Sequence, residues 1–74
     1  MKIKDIKGSL DSIKIKIPDN IFKDNLYGGP KKQEVYLTSF WNKGLWVKED
    51  LESTKIFPIC IDNVQETLEW EVIE

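Results

Sequence analysis

The chain has no arginine, no histidine and no alanine, and its one cysteine is Cys60. Without histidine, the side chain that most often serves as a general base near neutral pH is missing, and a Cys/His zinc site cannot be assembled. A single cysteine rules out an intramolecular disulfide. Without arginine, the forked contacts that most often read guanine in DNA are excluded. The sequence therefore predicts a non-enzymatic protein that uses no metal or other cofactor.

Long hydrophobic runs are also missing. No apolar stretch approaches the roughly 20 residues that span a bilayer, and residues 1–10 lack the apolar segment of a secretory signal. Together with the unpaired cysteine, this predicts a cytoplasmic protein without membrane contacts. Because Cys60 lies inside the apolar run of residues 59–61, we expect its thiol to be buried and unreactive.

The size of the chain fits one small domain. Its 74 residues, 41% of them hydrophobic and 11% aromatic, are typical of a globular protein and too apolar for a disordered one. We therefore expect a single domain over residues 1–74. A core of this size leaves only about 3–5 kcal/mol of net stability, so stabilisation by a homo-oligomer or another partner is an open alternative.

Charge is divided unevenly between the two halves of the chain. Residues 1–37 hold eight lysines against five acids, whereas residues 38–74 hold three lysines against eight acids. The last thirteen residues carry five acids, ending at Glu74, and no base. This asymmetry indicates either a partner of opposite charge or simple solvation of outward-facing positions, and we favour solvation.

Alternation of apolar and polar residues predicts most of the secondary structure. The strand candidates lie at 1–4, 12–17, 33–41, 45–48, 55–61 and 68–73. Residues 19–27 predict one or two helical turns with Asp19 as N-cap, or else a structured loop. The tail, 62–74, fits a helix or a strand, and we expect a turn or helix at 63–67 before a closing strand.

Short strands separated by Gly and Pro turns indicate a mainly β fold. The architecture we expect is a small SH3-like barrel or a strongly bent antiparallel sheet of about five strands, with one short helical element. A sheet with one helix packed across it is the alternative. Pro58 lies in an otherwise strand-like run, and because it cannot donate to a ladder it predicts a covered edge strand or a bulge.

Residues 36–48 form the most informative segment, a predicted hairpin rich in aromatic residues. A three-residue loop, Asn42–Gly44, would place Gly44 in a left-handed bulge position. One face would then hold the candidate core residues Val35, Leu37, Trp41, Leu45 and Val47. The other would hold Tyr36, Phe40, Trp46 and Lys48. A two-residue loop at 43–44 would instead bring Trp46 opposite Trp41.

Surplus aromatic rings on a sheet face are typical of a binding surface. We expect Tyr36, Phe40, Trp46 and Lys48 to contact another protein, although the rings could equally fill the core. The alternative is a small β-barrel that binds single-stranded nucleic acid, with bases stacked on the same rings. Lysines 2, 4, 14 and 16 would then add a basic patch, unless they only protect an edge hairpin from aggregation.

The small size and the acidic second half suggest an accessory role. We expect a regulator or inhibitor of another protein, of the kind that phages and mobile elements encode.

Overall fold

The computed structural model describes residues 1–73, which are mainly β and are organised around one four-stranded antiparallel sheet. The strands are β1 (Lys14–Lys16), β2 (Glu34–Trp41), β3 (Gly44–Lys48) and β4 (Phe57–Cys60). They lie in the sheet in chain order, so the sheet is open, with β1 and β4 at its two ends. One α-helix, α1 (Asp19–Asp24), and two 3₁₀ helices, Ile3–Asp5 and Val64–Glu69, complete the described secondary structure.

One face of the sheet, the inner face, carries the hydrophobic core. Four of the predicted core residues, Val35, Leu37, Leu45 and Val47, are completely buried, as the alternation of β2 and β3 requires. Ile15 and Ile59 extend this layer into β1 and β4 by cross-strand pairing. The other buried hydrophobic residues are Ile3, Ile17, Ile61 and Trp70.

The helical elements cover this inner face. Ile21 and Phe22 of α1 and Val64 and Leu68 of the second 3₁₀ helix pack against the core. The helical turns predicted in residues 19–27 and 63–67 are thus confirmed in part of each range. The predicted N-cap at Asp19 is wrong, because the helix begins at that residue and Pro18 precedes it. Among residues 1–73, no helix is both long enough and apolar enough to cross a membrane.

The two ends of the chain differ from the predicted strands. Residues 3–5 form a 3₁₀ turn, so the predicted N-terminal strand is wrong. Of the predicted closing strand, only residues 71 and 72 pair, through isolated bridges with Lys2 and Ile15. The backbone N–H of Lys16 donates to the Glu71 carbonyl (3.1 Å), and that of Ile73 donates to the Lys14 carbonyl (2.8 Å). The tail therefore lies along the free side of β1, and Glu74, the last acid of the predicted acidic tail, lies outside the described residues.

Pro58 occupies the kind of position that its chemistry predicts. It lies in β4, an edge strand, opposite Trp46. The N–H of Ile61 donates to the Lys43 carbonyl (2.9 Å), so in an antiparallel ladder the backbone groups of residues 58 and 60 point away from β3. The ladder thus loses no hydrogen bond to Pro58, and the prediction of an edge position is confirmed.

Candidate functional site

The second side of the sheet, which we call the outer face, lies opposite the inner face against which the helices pack. Pairing and alternation assign to it residues from all four strands, which are partly or fully exposed. They are Lys14, Lys16, Glu34, Tyr36, Ser39, Trp41, Trp46, Lys48, Pro58 and Cys60. Three aromatic rings and a proline therefore lie on the side of the sheet that faces away from the core.

The hairpin that builds this face turns more tightly than predicted. Trp41 pairs with Gly44, so the loop is Asn42–Lys43, and both predicted loops, 42–44 and 43–44, are wrong. Phe40 pairs with Leu45, and Ser39 pairs with Trp46. A Cβ at Gly44 would overlap with the Ile59 carbonyl oxygen of β4. Glycine is required there because the backbones of β3 and β4 lie too close for a side chain.

A β-bulge in β2 then changes which rings share a face. The register shifts between Leu37 and Ser39, which leaves Thr38 as the extra residue. Its hydroxyl donates to the Trp46 carbonyl (2.8 Å) and so supplies the hydrogen bond that the irregular ladder lacks there. Residues beyond the bulge lie on the side opposite to the one that simple alternation predicts.

Because of this bulge, Phe40 and Trp41 lie on the opposite faces of the sheet from those predicted. Trp41, predicted to be in the core, lies on the outer face, whereas Phe40, predicted on the outer face, shares the side of Leu45. Phe40 is nevertheless 36% exposed. The assignment of Trp41 to the core is therefore wrong.

Trp41 and Trp46 form a stacked pair on the outer face. Their ring centroids are 5.8 Å apart and their planes are inclined by 27°, a geometry that contributes roughly 0.5–1.5 kcal/mol beyond area burial. The Nε1–H of Trp41 is shielded from solvent and has no hydrogen-bond partner within residues 1–73. An unpaired buried donor costs about 1–3 kcal/mol, so the pair retains an unmet hydrogen-bonding capacity.

Tyr36 lies among lysines at the other end of the outer face. Lys48 is its cross-strand partner on β3, and Lys14 its partner on β1. The Lys14 ammonium lies over the Tyr36 ring, 5.7 Å from its centroid, within the range of a cation–π interaction. The same lysine lies 3.9 Å from a Glu34 carboxylate oxygen.

A shallow groove of about 410 Å³ begins beside Tyr36. Its lining carries charges of both signs. Lys32 pairs with Asp50 (3.1 Å), and the Glu49 carboxylate accepts the backbone N–H of Lys31 (2.9 Å). Lys14 and Lys32 of this lining thus have carboxylate partners, whereas Lys16 and Lys48 of the outer face form no ion pair within residues 1–73.

The outer face thus brings together Tyr36, Trp46 and Lys48 of the predicted binding residues, with Phe40 turned to the other side. Sequence reasoning missed Trp41, and no signal in the sequence marks the bulge that exposes it. It also missed the contact between Lys14 and Tyr36. The alternation of residues 12–17 could have indicated that contact if the pairing of β1 with β2 had been known.

Two further predictions about chemistry are corrected. Cys60 is exposed and not buried, since it shares the outer face with Gly44 and Pro58. Lys2 and Lys4 form no basic hairpin surface, because both ammonium groups donate to the Glu69 carboxylate at 3.0 Å. No group of three or more metal-ligating side chains gathers anywhere in residues 1–73.

Comparison of this chain with protein families, with curated proteins and with solved structures gives no match. Function is therefore inferred from the residues and their geometry alone.

Proposed function

We propose that this chain is a non-enzymatic binding module whose outer face contacts another protein. Tyr36, Trp46 and Lys48 are the central contact residues, and Trp41 joins them in place of Phe40. The observation that carries the proposal is the Trp41–Trp46 pair, which lies on the side of the sheet away from the core. Tryptophan and tyrosine are the residues most enriched among the few that dominate binding energy at protein interfaces.

Rigid presentation of these rings supports the proposal. Both tryptophans project from paired strands of one hairpin, and the hydroxyl of Thr38 ties that hairpin together at the bulge. A surface fixed before binding loses little conformational entropy when a partner docks.

Trp46→Ala tests this role, provided that the variant is first shown to be folded. We expect the variant to fold, because the ring lies outside the core, and to lose at least tenfold in affinity, as removal of an interface anchor does. Tyr36→Ala should act in the same direction. The partner is first recovered from the native host with the tagged wild-type chain, and its dissociation constant is then measured by calorimetry with each purified variant.

Leu51→Ala is the matched control, since Leu51 is an apolar residue that is 52% exposed and lies in the loop between β3 and β4. It should bind like the wild type. If Trp46→Ala unfolds the chain, the ring belongs to the stabilising packing and the proposal fails. Full affinity of folded Trp46→Ala and Tyr36→Ala would also exclude the outer face as the interface.

Binding of single-stranded nucleic acid is the second candidate, and the lysines beside Tyr36 favour it. Lys14 and Lys48 flank a ring on which a base could stack. Backbone contacts of this kind weaken steeply as the salt concentration rises. Fluorescence titration with oligothymidylate at two salt concentrations separates the candidates: salt-sensitive binding that Tyr36→Ala abolishes would favour nucleic acid over a protein partner.

We propose that the chain acts in the cytoplasm as an accessory protein. It would be a regulator or inhibitor of the kind found in phages and mobile elements. The small size and the acidic residues 38–74 support it. We also propose that the sheet bends as in a small SH3-like barrel. This proposal is supported by the backbone hydrogen bonds through which residues 71–73 extend the sheet beyond β1.

A further inference from the structure

The free edge of β4 is closed by a side chain and not by another strand. In a regular sheet, the outward N–H and C=O groups of an edge strand are open to pairing with a second chain. In β4 those groups belong to residues 58 and 60. Pro58 has no N–H to offer, and both backbone groups of Cys60 are bound by Asn25, the residue directly after α1.

The Asn25 carboxamide imitates the backbone of a neighbouring strand. The N–H of Cys60 donates to Asn25 Oδ1 (2.9 Å), and Asn25 Nδ2 donates to the Cys60 carbonyl (3.1 Å). This reciprocal pair has the same donor and acceptor pattern as one hydrogen-bonded residue pair of an antiparallel ladder. A second chain cannot pair with Cys60 while the amide occupies it.

Asn25 is itself held firmly in this position. Its Nδ2 also donates to the Ile21 carbonyl (2.9 Å), and its backbone N–H donates to the same carbonyl (3.1 Å). Gly29 lies against the Asn25 backbone so closely that a Cβ there would overlap with the Asn25 carbonyl oxygen. The close packing of the turn after α1 therefore holds this amide at the edge of β4.

We propose that the β4 edge is a strand-pairing surface for a second copy of this chain, which Asn25 and Pro58 keep closed. The inference is independent of the outer face, because it concerns backbone groups in the plane of the sheet. Displacement of the amide opens both groups of Cys60, and antiparallel pairing of two β4 strands then follows.

The charges that flank β4 favour a second copy as the occupant. Lys55 lies at one end of the strand, with its ammonium 5.0 Å from the centroid of the Phe57 ring, and Asp62 lies at the other end. Neither forms an ion pair within residues 1–73. Two antiparallel copies related by a two-fold axis bring Lys55 of each near Asp62 of the other. The same pairing would shield Ile56, which is 45% exposed.

Sedimentation velocity over a range of concentrations tests the inference on four purified chains: wild type, Asn25→Ala, Pro58→Val and the double variant. We expect a monomeric wild type and a double variant that dimerises at least tenfold more tightly, with the single variants between them. Asn20→Ala is the matched control, since this exposed asparagine of α1 makes no side-chain hydrogen bond within residues 1–73.

Amide hydrogen exchange at Cys60 locates the contact. This N–H should exchange slowly in the wild type, faster in monomeric Asn25→Ala, and slowly again when the double variant dimerises. Folded variants that stay monomeric at all concentrations overturn the inference, as does dimerisation that leaves the Cys60 amide unprotected. A wild type that dimerises as tightly as the double variant overturns the closing role of Asn25. If the double variant does not fold, the two single variants decide by the same criteria.

Discussion

At the scale of single residues, three small groups fix the backbone of the sheet at particular points. Gly44 lets β3 and β4 approach, the Thr38 hydroxyl binds the Trp46 carbonyl at the bulge, and the Asn25 amide binds the edge of β4. None of them contributes much apolar surface to the core. Each acts through close contacts with backbone groups, so substitution of a single side chain tests each contact.

Gly44→Ala should destabilise the fold by about 1–3 kcal/mol, the usual range when a group is forced into a well-packed position. The reason is the overlap between the new Cβ and the Ile59 carbonyl oxygen, which pushes β4 away from β3. Urea unfolding followed by tryptophan fluorescence measures the change. Ser39→Ala is the control and should stay within about 0.5 kcal/mol of the wild type. An equally small effect of Gly44→Ala would contradict the close approach of the two strands.

At the scale of elements, the β-bulge of β2 decides the character of the outer face. It adds one residue between two regular stretches, so that Val35 and Leu37 keep their predicted side while Phe40 and Trp41 exchange theirs. The position of β1, β2, β3 and β4 could be predicted from alternation. The bulge could not, because Thr38 and Ser39 fit a regular ladder as well as an irregular one.

Thr38→Val should cost about 1–2 kcal/mol, because it preserves the shape of the side chain but leaves the Trp46 carbonyl without its hydrogen bond. Thermal and urea unfolding give the magnitude, and the exchange rate of neighbouring amides reports whether the bulge persists. Thr54→Val, at an exposed loop position whose hydroxyl makes no hydrogen bond within residues 1–73, should be close to neutral. If the two substitutions had equal effects, the hydroxyl would not be supporting the bulge.

At the scale of the whole molecule, hydrogen bonds and ion pairs join the two ends of the chain. Residues 71–73 lie between the N-terminal residues and β1, and the N–H of Ile3 donates to the Trp70 carbonyl (3.0 Å). Glu69 joins the ends electrostatically by accepting from both Lys2 and Lys4. The hydrogen bond from Lys2, then that from Lys4, lowers the pKa of the Glu69 carboxyl, and the hydrogen bond to Glu69 raises the pKa of Lys2.

This ion-pair cluster predicts a defined dependence of stability on pH. Since folding lowers the pKa of Glu69, its contribution is complete above the ordinary value of 4.5 and is lost as the pH falls through the lowered value. Since folding raises the pKa of Lys2, that contribution is complete below 10.5 and is lost as the pH rises through the raised value. Both groups are solvent-exposed, so the effect should be small and should weaken with salt.

Glu69→Gln should lower the urea midpoint slightly at neutral pH and should match the wild type once the carboxyl is protonated, at about pH 2. Unfolding curves over a series of pH values, at low and high salt, measure this convergence. Glu66→Gln is the control, because Glu66 is exposed and forms no ion pair within residues 1–73. A difference between Glu69→Gln and the wild type that persists in acid would assign the effect to something other than the charge.

The sequence by itself determined the local features of this protein. Alternation located β1 to β4 and four of their buried side chains, and the chemistry of Pro58 required an edge position. These properties depend on neighbouring residues and on side-chain chemistry, which are present in the one-dimensional chain.

Only the tertiary structure decided which rings face outward and how the edges are closed. The face of Trp41 depends on one bulge in β2, and the position of that bulge is defined by pairing with β3. The contact of Asn25 with Cys60 joins residues that are far apart in the sequence. In the tail, where we expected a turn or helix at 63–67 and a strand at 68–73, the 3₁₀ helix extends to Glu69, and only residues 71 and 72 form bridges.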